Sequence, residues 1–178
     1  MSVADAITSA MAEILAATWN EREGQIVPET EDVTLKNGAV SLDAVFLYAD
    51  LHRSTALAEV ATRKQAAKVV RGYLSSMSRV IKAQGGEIRS FDGDRVMGIF
   101  VGSSKNSDAA QCALKMNYVL TKILRPKVEA AFPSLKKAGY TVDHAVGLNP
   151  ARPSSSAQEC AARTTSSRWA QHQTSQRS

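Results

Sequence analysis

The chain has 178 residues, 44% apolar and 22% charged, with a formal net charge of +5. That length favours one domain with one substantial core, and the composition is globular, not disordered. No apolar run approaches the roughly 20 residues of a membrane-spanning helix, so no membrane partner is expected. The charge is uneven: Arg152, Arg163, Arg168 and Arg177 against Glu159 put +3 of the +5 into residues 150–178. No aromatic residues interleave with a basic stripe, so nucleic acid is not an expected partner. Cys112 and Cys160 form neither a disulfide framework nor a metal-ligand spacing. Residues 1–10 lack a basic n-region and carry Asp5, so no secretory signal is read and a cytoplasmic location is expected.

In chain order, Ile7, Met11, Ile14, Leu15 and Trp19 recur at helical spacing, predicting one amphipathic helix over 5–23. Residues 24–42 are polar, with Pro28 and an Asn37-Gly38 turn pair, and read as linker with a hairpin. The run DAVFLYADL, 43–51, is a buried strand. A single long helix is expected from Ser54 to Ala83, stopped by Gly85-Gly86. Strands follow at 87–91 and 95–101, joined through Asp92-Gly93. A second long helix spans 107–132 with an interruption at Pro126, and YTVDHAVGL, 140–148, is the last strand. The order β-α-β-β-α-β makes the chain α+β with a ferredoxin-like fold, preceded by an N-terminal helix. Three segments result: helix and linker over 1–42, the βαββαβ domain over 43–148, and a tail over 149–178. From 150 onward there is no Leu, Ile, Val, Met, Phe or Tyr. Such a tail is expected to be disordered, because it cannot bury enough apolar surface to offset its ordering entropy.

Asp50 ends the first strand of this domain, and Asp94 opens the third. In this topology those strands are adjacent and antiparallel, so the two carboxylates meet side by side. Paired carboxylates beside a backbone carbonyl are oxygen ligands suited to Mg²⁺ or Mn²⁺. The segment Leu51-His52-Arg53-Ser54-Thr55 leads into a helix N-terminus, where a phosphate chain is favoured. Metal ligands beside an anion cradle point to two-metal phosphoryl chemistry. Taken singly, Asp92-Gly93-Asp94 reads equally as a polar hairpin turn and Asp50 as a strand-end residue; their joint placement favours the site.

YADLHRSTAL at 48–57 and FDGDRVMGIF at 91–100 resemble the catalytic domain of class III nucleotide cyclases, over about 43–148. The resemblance implies that Asp50 and Asp94 bind two metal ions, assisted by the Leu51 carbonyl. His52, Arg53, Ser54 and Thr55 then hold the substrate phosphates. The ribose 3′-oxygen attacks the α-phosphorus and releases pyrophosphate and a 3′,5′-cyclic nucleotide. It further implies a homodimer with active sites formed between subunits.

Two departures bear on the substrate and on turnover. Where adenylate cyclases of this class carry a base-reading Lys, this chain has Ser90, with Arg89 one residue earlier. The pattern YADL…SFDGDRVM looks more like the bacterial pyrimidine cyclases of Pycsar antiphage defence, which make cyclic UMP or cyclic CMP for a downstream effector. Tyr48, two residues before Asp50, shares its sheet face and joins Arg89 and Ser90 as a candidate base reader. Secondly, the family follows its last strand with an Asn and, four residues on, an Arg or Lys, and nothing in 149–178 matches. Read in another frame from Cys160, the tail can encode VRGANDLVPVGPAPNFAAK, which carries that pattern and implies a frameshifted origin. The alternatives are a catalytically impaired nucleotide- and metal-binding dimer, an ordinary adenylate or guanylate cyclase, and a plain ferredoxin-like interaction domain. The apolar residues on both sheet faces, Val45, Leu47, Met97 and Ile99 against Phe46, Tyr48, Val96 and Gly98, argue independently for a dimer.

Overall fold

A computed structural model describes residues 2–29, 32–33 and 37–151. The chain divides at Asp43 and Ala151 into two compact units. In the first, Ser2 caps helix α1 (Val3–Ala16), accepting from the Asp5 amide at 3.1 Å while the Asp5 carboxylate accepts from the Ser2 amide at 2.9 Å. The helix stops at Ala16, so Trp19 lies beyond it, and Ile7, Met11, Ile14 and Leu15 are all exposed. Among the described residues of 24–42 there is no hairpin. Strand β1 (Asn20–Gly24) pairs in parallel with β2 (Gly38–Leu42), from Asn20↔Gly38 to Gly24↔Leu42. A parallel pair needs a long connection, which 25–37 supplies, and this rules out a tight turn at Asn37-Gly38. The NEREG sequence of β1 gave no apolar alternation by which to read a strand.

The second unit, 44–150, carries strand β3 (Ala44–His52), helices α2 (Ser54–Val60) and α3 (Arg63–Ala83), and strands β4 (Glu87–Asp92) and β5 (Arg95–Val101). Helices α4 (Lys105–Val119), α5 (Arg125–Ala131) and α6 (Pro133–Lys137) follow, then β6 (Asp143–Ala151). The sheet order is β4-β5-β3-β6, the ferredoxin-like arrangement. The expected helix over 54–83 is two helices. Thr62 starts a new one with a capping box, accepting from the Gln65 amide while the Gln65 side chain accepts from the Thr62 amide. The expected break at Pro126 is instead a π-helical turn at Leu120–Leu124 just before it, in which the Arg125 amide donates to the Leu120 carbonyl. Pro126 has no N–H for the α-helical bond at that point, and the widened turn absorbs the loss. The short α6 was not foreseen. The last strand begins at Asp143, not Tyr140, and runs through Ala151, so the first three residues of the expected tail are strand. The remainder of that tail, 152–178, with the frameshift reading, falls outside the described residues.

One face of the sheet, Val45, Leu47, Ala49, Leu51, Val96 and Phe100, packs on Tyr73, Met77 and Ile81 of α3 and Cys112 and Met116 of α4. At roughly 25 cal/mol per Å² of apolar surface removed from water, this layer is the main stabilising term of the domain. Gly98 lets α3 approach: a Cβ there would lie 2.9 Å from Ile81 Cγ2. Burial pushes the Cys112 thiol up to about 12, so it is a small core side chain with little thiolate character. The cross-strand register pairs Leu47 with Gly98 and Phe46 with Ile99. Residues directly opposite share a face, so Val45 and Leu47 group with Val96 and Gly98, the reverse of the expected grouping. On the other face Phe46, Met97 and Ile99 are only 1–2% exposed, so these side chains are buried within the single chain.

Candidate active site

The site forms where the central strand pair ends. Strand β3 carries Tyr48, Asp50, Leu51 and His52, and its register places Asp50 opposite Arg95. Asp94 is the second residue of the two-residue turn between Asp92 and Arg95, one position earlier than the strand start expected for it. Gly93 makes that turn possible with φ 61°, a conformation a side chain would strain. The Leu51 amide donates to the Asp94 carbonyl at 3.3 Å, which fastens the turn to the end of β3. The Asp50 and Asp94 residues therefore stand on neighbouring backbone segments, as their positions in the sequence required.

Their surroundings differ. Asp50 accepts from Arg95 Nη2 at 3.3 Å, with both side chains about two-fifths exposed (38% and 44%). That carboxylate holds the Arg95 guanidinium above its ordinary pKa, chiefly through the hydrogen bond. Asp94 Oδ2, in contrast, is buried with no hydrogen-bond partner among the described residues. A buried carboxylate oxygen without a donor is costly, and a hydrogen-bond donor or a cation would satisfy it. Two carboxylates with main-chain carbonyls form an all-oxygen donor set, suited to a hard divalent ion that keeps water or phosphate oxygens. Among the described residues no three His, Cys, Asp or Glu side chains converge on a metal position. The residues present therefore fit a cation completed by substrate oxygens and do not form a closed protein cage.

The segment expected to face phosphates is a tight connection. His52 is the last, exposed residue of β3, and Arg53 alone connects it to α2, in the left-handed region at φ 58°. Arg53 is the only non-glycine with positive φ among the described residues. Ser54 and Thr55 open α2, a helix of seven residues with no side-chain cap. Of the candidate base readers, the register places Tyr48 opposite Met97 and Met97 opposite Ser90, so Tyr48 and Ser90 share one row on one face. Arg89 does not join it. The register slips between Ile88 and Ser90, which leaves Arg89 as the bulged residue.

Three further residues of this unit were read from the sequence only as core or strand positions. Tyr73 of α3 is fully buried, Tyr140 is 3% exposed, and neither hydroxyl has a hydrogen-bond partner among the described residues. Burial, then the fields of Asp50 and Asp94, raises the Tyr73 hydroxyl pKa; burial likewise raises that of Tyr140. The His144 ring meets Tyr73 edge-on, centroids 6.1 Å apart at 87°, and its Nδ1 is also unpartnered. Burial lowers the His144 pKa from 6.5. Arg125 of α5 donates to the Val142 carbonyl at 2.9 Å and pairs with Asp143 at 3.2 Å, fixing the start of β6. A polar handle within the aliphatic face of α3 was the one signal that could have drawn attention to Tyr73.

No protein-family model matches the chain. Over 149 residues it is 46% identical to a uridylate cyclase of Rhodovulum sp. (strain MB263), covering 84% of this chain and 62% of that protein. A uridylate cyclase of Xanthomonas perforans is 35% identical over 150 residues, 84% of this chain and 64% of that one. The chain thus spans a little over three-fifths of the length of these curated relatives. Among solved structures, a bacterial light-regulated adenylyl cyclase matches with TM-score 0.52 and 26% identity, over 61% of this chain and 29% of that chain. The guanylyl cyclase Cya2 matches in fold with TM-score 0.51 and 23% identity, over 60% and 52% of the two chains. No helix among the described residues is long and apolar enough to cross a membrane. Fold and sequence converge: the second unit has the fold of class III nucleotide cyclase domains, and over 84% of its length the chain is similar to uridylate cyclases.

Proposed function

We propose that this chain is a pyrimidine nucleotide cyclase, converting UTP first and CTP next into the 3′,5′-cyclic nucleotide and pyrophosphate. The observation that carries the reading is the pair Asp50 and Asp94 on adjoining backbone, one carboxylate oxygen buried and lacking any donor. The likeness to uridylate cyclases supports the choice of base. Asp50 and Asp94, with the Leu51 carbonyl, hold two ions, Mg²⁺ or Mn²⁺. Bound there, the ions supply positive charge against the triphosphate and a lowered pKa for the 3′-hydroxyl. The bond from O3′ to the α-phosphorus would form as the bond to the pyrophosphate oxygen breaks, the 3′-hydroxyl proton passing to solvent water.

The amides of Ser54 and Thr55, with the His52 and Arg53 side chains, face the phosphates in this reading. With α2 so short, its dipole adds little, and the Arg53 guanidinium is the main cationic contribution. Tyr48 and Ser90, in one row, face the base; Arg89 reaches it from the bulge. A site built to satisfy one base edge rejects another strongly, because its polar groups are then left unpaired. The working unit is a homodimer, and the product acts on a downstream effector in antiphage defence. Residues 149–178 match neither the family's Asn nor its cation, groups that in this reading orient the ribose and stabilise the phosphate charge. The alternate-frame segment restores both.

Incubation with an equimolar mixture of four NTPs and Mn²⁺, with products resolved by mass spectrometry, tests the reading on both forms. The restored chain is expected to give cyclic UMP, then cyclic CMP. Predominant cyclic AMP or cyclic GMP would place it among the ordinary purine cyclases.

A further inference from the structure

Among the described residues two apolar surfaces are bare, one on each unit. On α1, Val3, Ile7, Met11, Ile14 and Leu15 recur at helical spacing as one stripe, and each is 46–77% exposed. On the second unit, two hollows of about 770 and 470 Å³ share Ser75, Ser78 and Phe91 and form one groove between α3 and the edge strand β4. Its apolar lining is Ala67, Val70, Leu74, Ile88 and Phe91, the last 56% exposed. The lengths agree. The groove follows α3 from Ala67 to Lys82, about 22 Å of helix, and the 14 residues of α1 span about 21 Å. An amphipathic helix laid by its apolar face into a groove is a recurrent mode of recognition.

Charge selects among the ways of covering these surfaces. Residues 1–43 hold eight Asp and Glu against two Lys and Arg, whereas residues 44–150 hold sixteen Lys and Arg against eight Asp and Glu. Helix α1 carries only Asp5 and Glu13, and α3 carries six cations and no acid. Arg71, Arg79 and Lys82 line the groove, beside one acid, Glu87. Stripe on stripe brings acidic units together, and groove on groove brings basic ones together. Stripe in groove joins opposite signs. We infer that α1 of a second copy of this chain lies in the α3–β4 groove, the two copies exchanging helices about a two-fold axis. Made reciprocally, the contact closes a pair and covers both stripes and both grooves. At about 100° per residue, Asp5 and Glu13 fall on the side of α1 away from the stripe. Their charge therefore steers the approach and sets the choice of partner surface, while the apolar contact holds the pair. The inference gives the homodimer proposed above a docking surface and is independent of the carboxylate–metal reading.

The test is sedimentation equilibrium of the full chain across the micromolar range, for the parent and two variants. Ile7→Asp with Ile14→Asp breaks the stripe, and Arg79→Glu with Phe91→Ser breaks the groove. All four positions are exposed, and circular dichroism with thermal melting checks that each variant is folded. The parent is expected to run as two chains, and each variant to raise the dissociation constant on the order of 30-fold or more, the effect of removing interface anchors. An equal mixture of the two variants is expected to regain two-chain species, because it pairs one intact stripe with one intact groove. A variant of either kind that associates like the parent overturns this interface and spares the homodimer. Variants that stay single chains both alone and mixed overturn it in favour of stripe on stripe or groove on groove. A parent that runs as a single chain overturns both the interface and the homodimer.

Discussion

From Ala44↔Val101 to Ala49↔Val96, strands β3 and β5 pair apolar residue with apolar residue, and all but Tyr48 and Val101 are buried. The next rung, Asp50↔Arg95, is an ion pair with both side chains about two-fifths exposed (38% and 44%). The same two strands thus carry a dry interior and a wet, charged end, separated by one residue of each. In the body, packing decides which side chains are tolerated. At the end, side chains are free of packing constraints while their backbone remains held by the ladder and by the Leu51–Asp94 bond. Chemistry can be placed there without loss of precision, because positioned groups work best on rigid elements.

The largest effect expected to sharpen this contrast is functional and leaves the fold alone. Asp94→Asn keeps the turn, whose conformation depends on Gly93, yet removes the charge that a cation needs. Divalent-dependent nucleotide binding should be lost, by calorimetry with and without Mn²⁺, with melting unchanged; Asp50→Asn should behave alike. Retained metal-dependent binding in either variant sinks the two-carboxylate assignment. In the body the contrast reverses. Leu47 is fully buried between the helices and the sheet, and Leu47→Ala should cost roughly 2–5 kcal/mol in urea unfolding. A smaller cost would mean that this part of the core collapses around the gap.

The difference between the two ends also explains what could be read in advance. The runs DAVFLYADL and RVMGIF signal strands by composition, and Asp92-Gly93 signals a turn, so the topology that brings Asp50 to Asp94 followed from order alone. The ferredoxin-like order held for the same reason. What escaped were features set by tertiary or backbone geometry. The parallel β1–β2 pair has no alternation in NEREG, and the bulge at Arg89 shows only in the register. The break at Thr62 was written in the sequence as T-x-x-Q, a capping box hidden within a helical apolar pattern that continues across it. Tyr73 was legible as core, but its unpartnered buried hydroxyl shows only in the structure.

A smaller effect lies between body and end, at His144. Burial lowers its pKa below the ordinary 6.5, so the unfolded chain binds a proton that the folded chain resists. Stability from this group is therefore complete above about pH 6.5 and declines as the pH falls through that value toward the folded pKa. Urea melts at about pH 5 and about pH 7.5 should show a smaller acid loss in His144→Gln than in the parent. Equal losses would mean that the ring is solvated enough to titrate normally.

The smallest effect belongs to Arg95, whose pair with Asp50 is exposed on both sides. Such pairs contribute little to folding, because the charges are solvated and the side chains lose freedom in pairing. Arg95→Gln should therefore melt within error of the parent. Its consequence is electrostatic: a guanidinium on the Asp50 carboxylate competes with any cation for the same oxygen. Removing it should tighten Mn²⁺ binding roughly several-fold at low ionic strength, and added salt should erase the gain as screening shortens the reach of the charge. Weaker Mn²⁺ binding in Arg95→Gln would reverse the assignment. Arg95 would then serve to hold Asp50 in its ligating orientation, and the charged end of the ladder would be preorganised by the ion pair as much as by the strands.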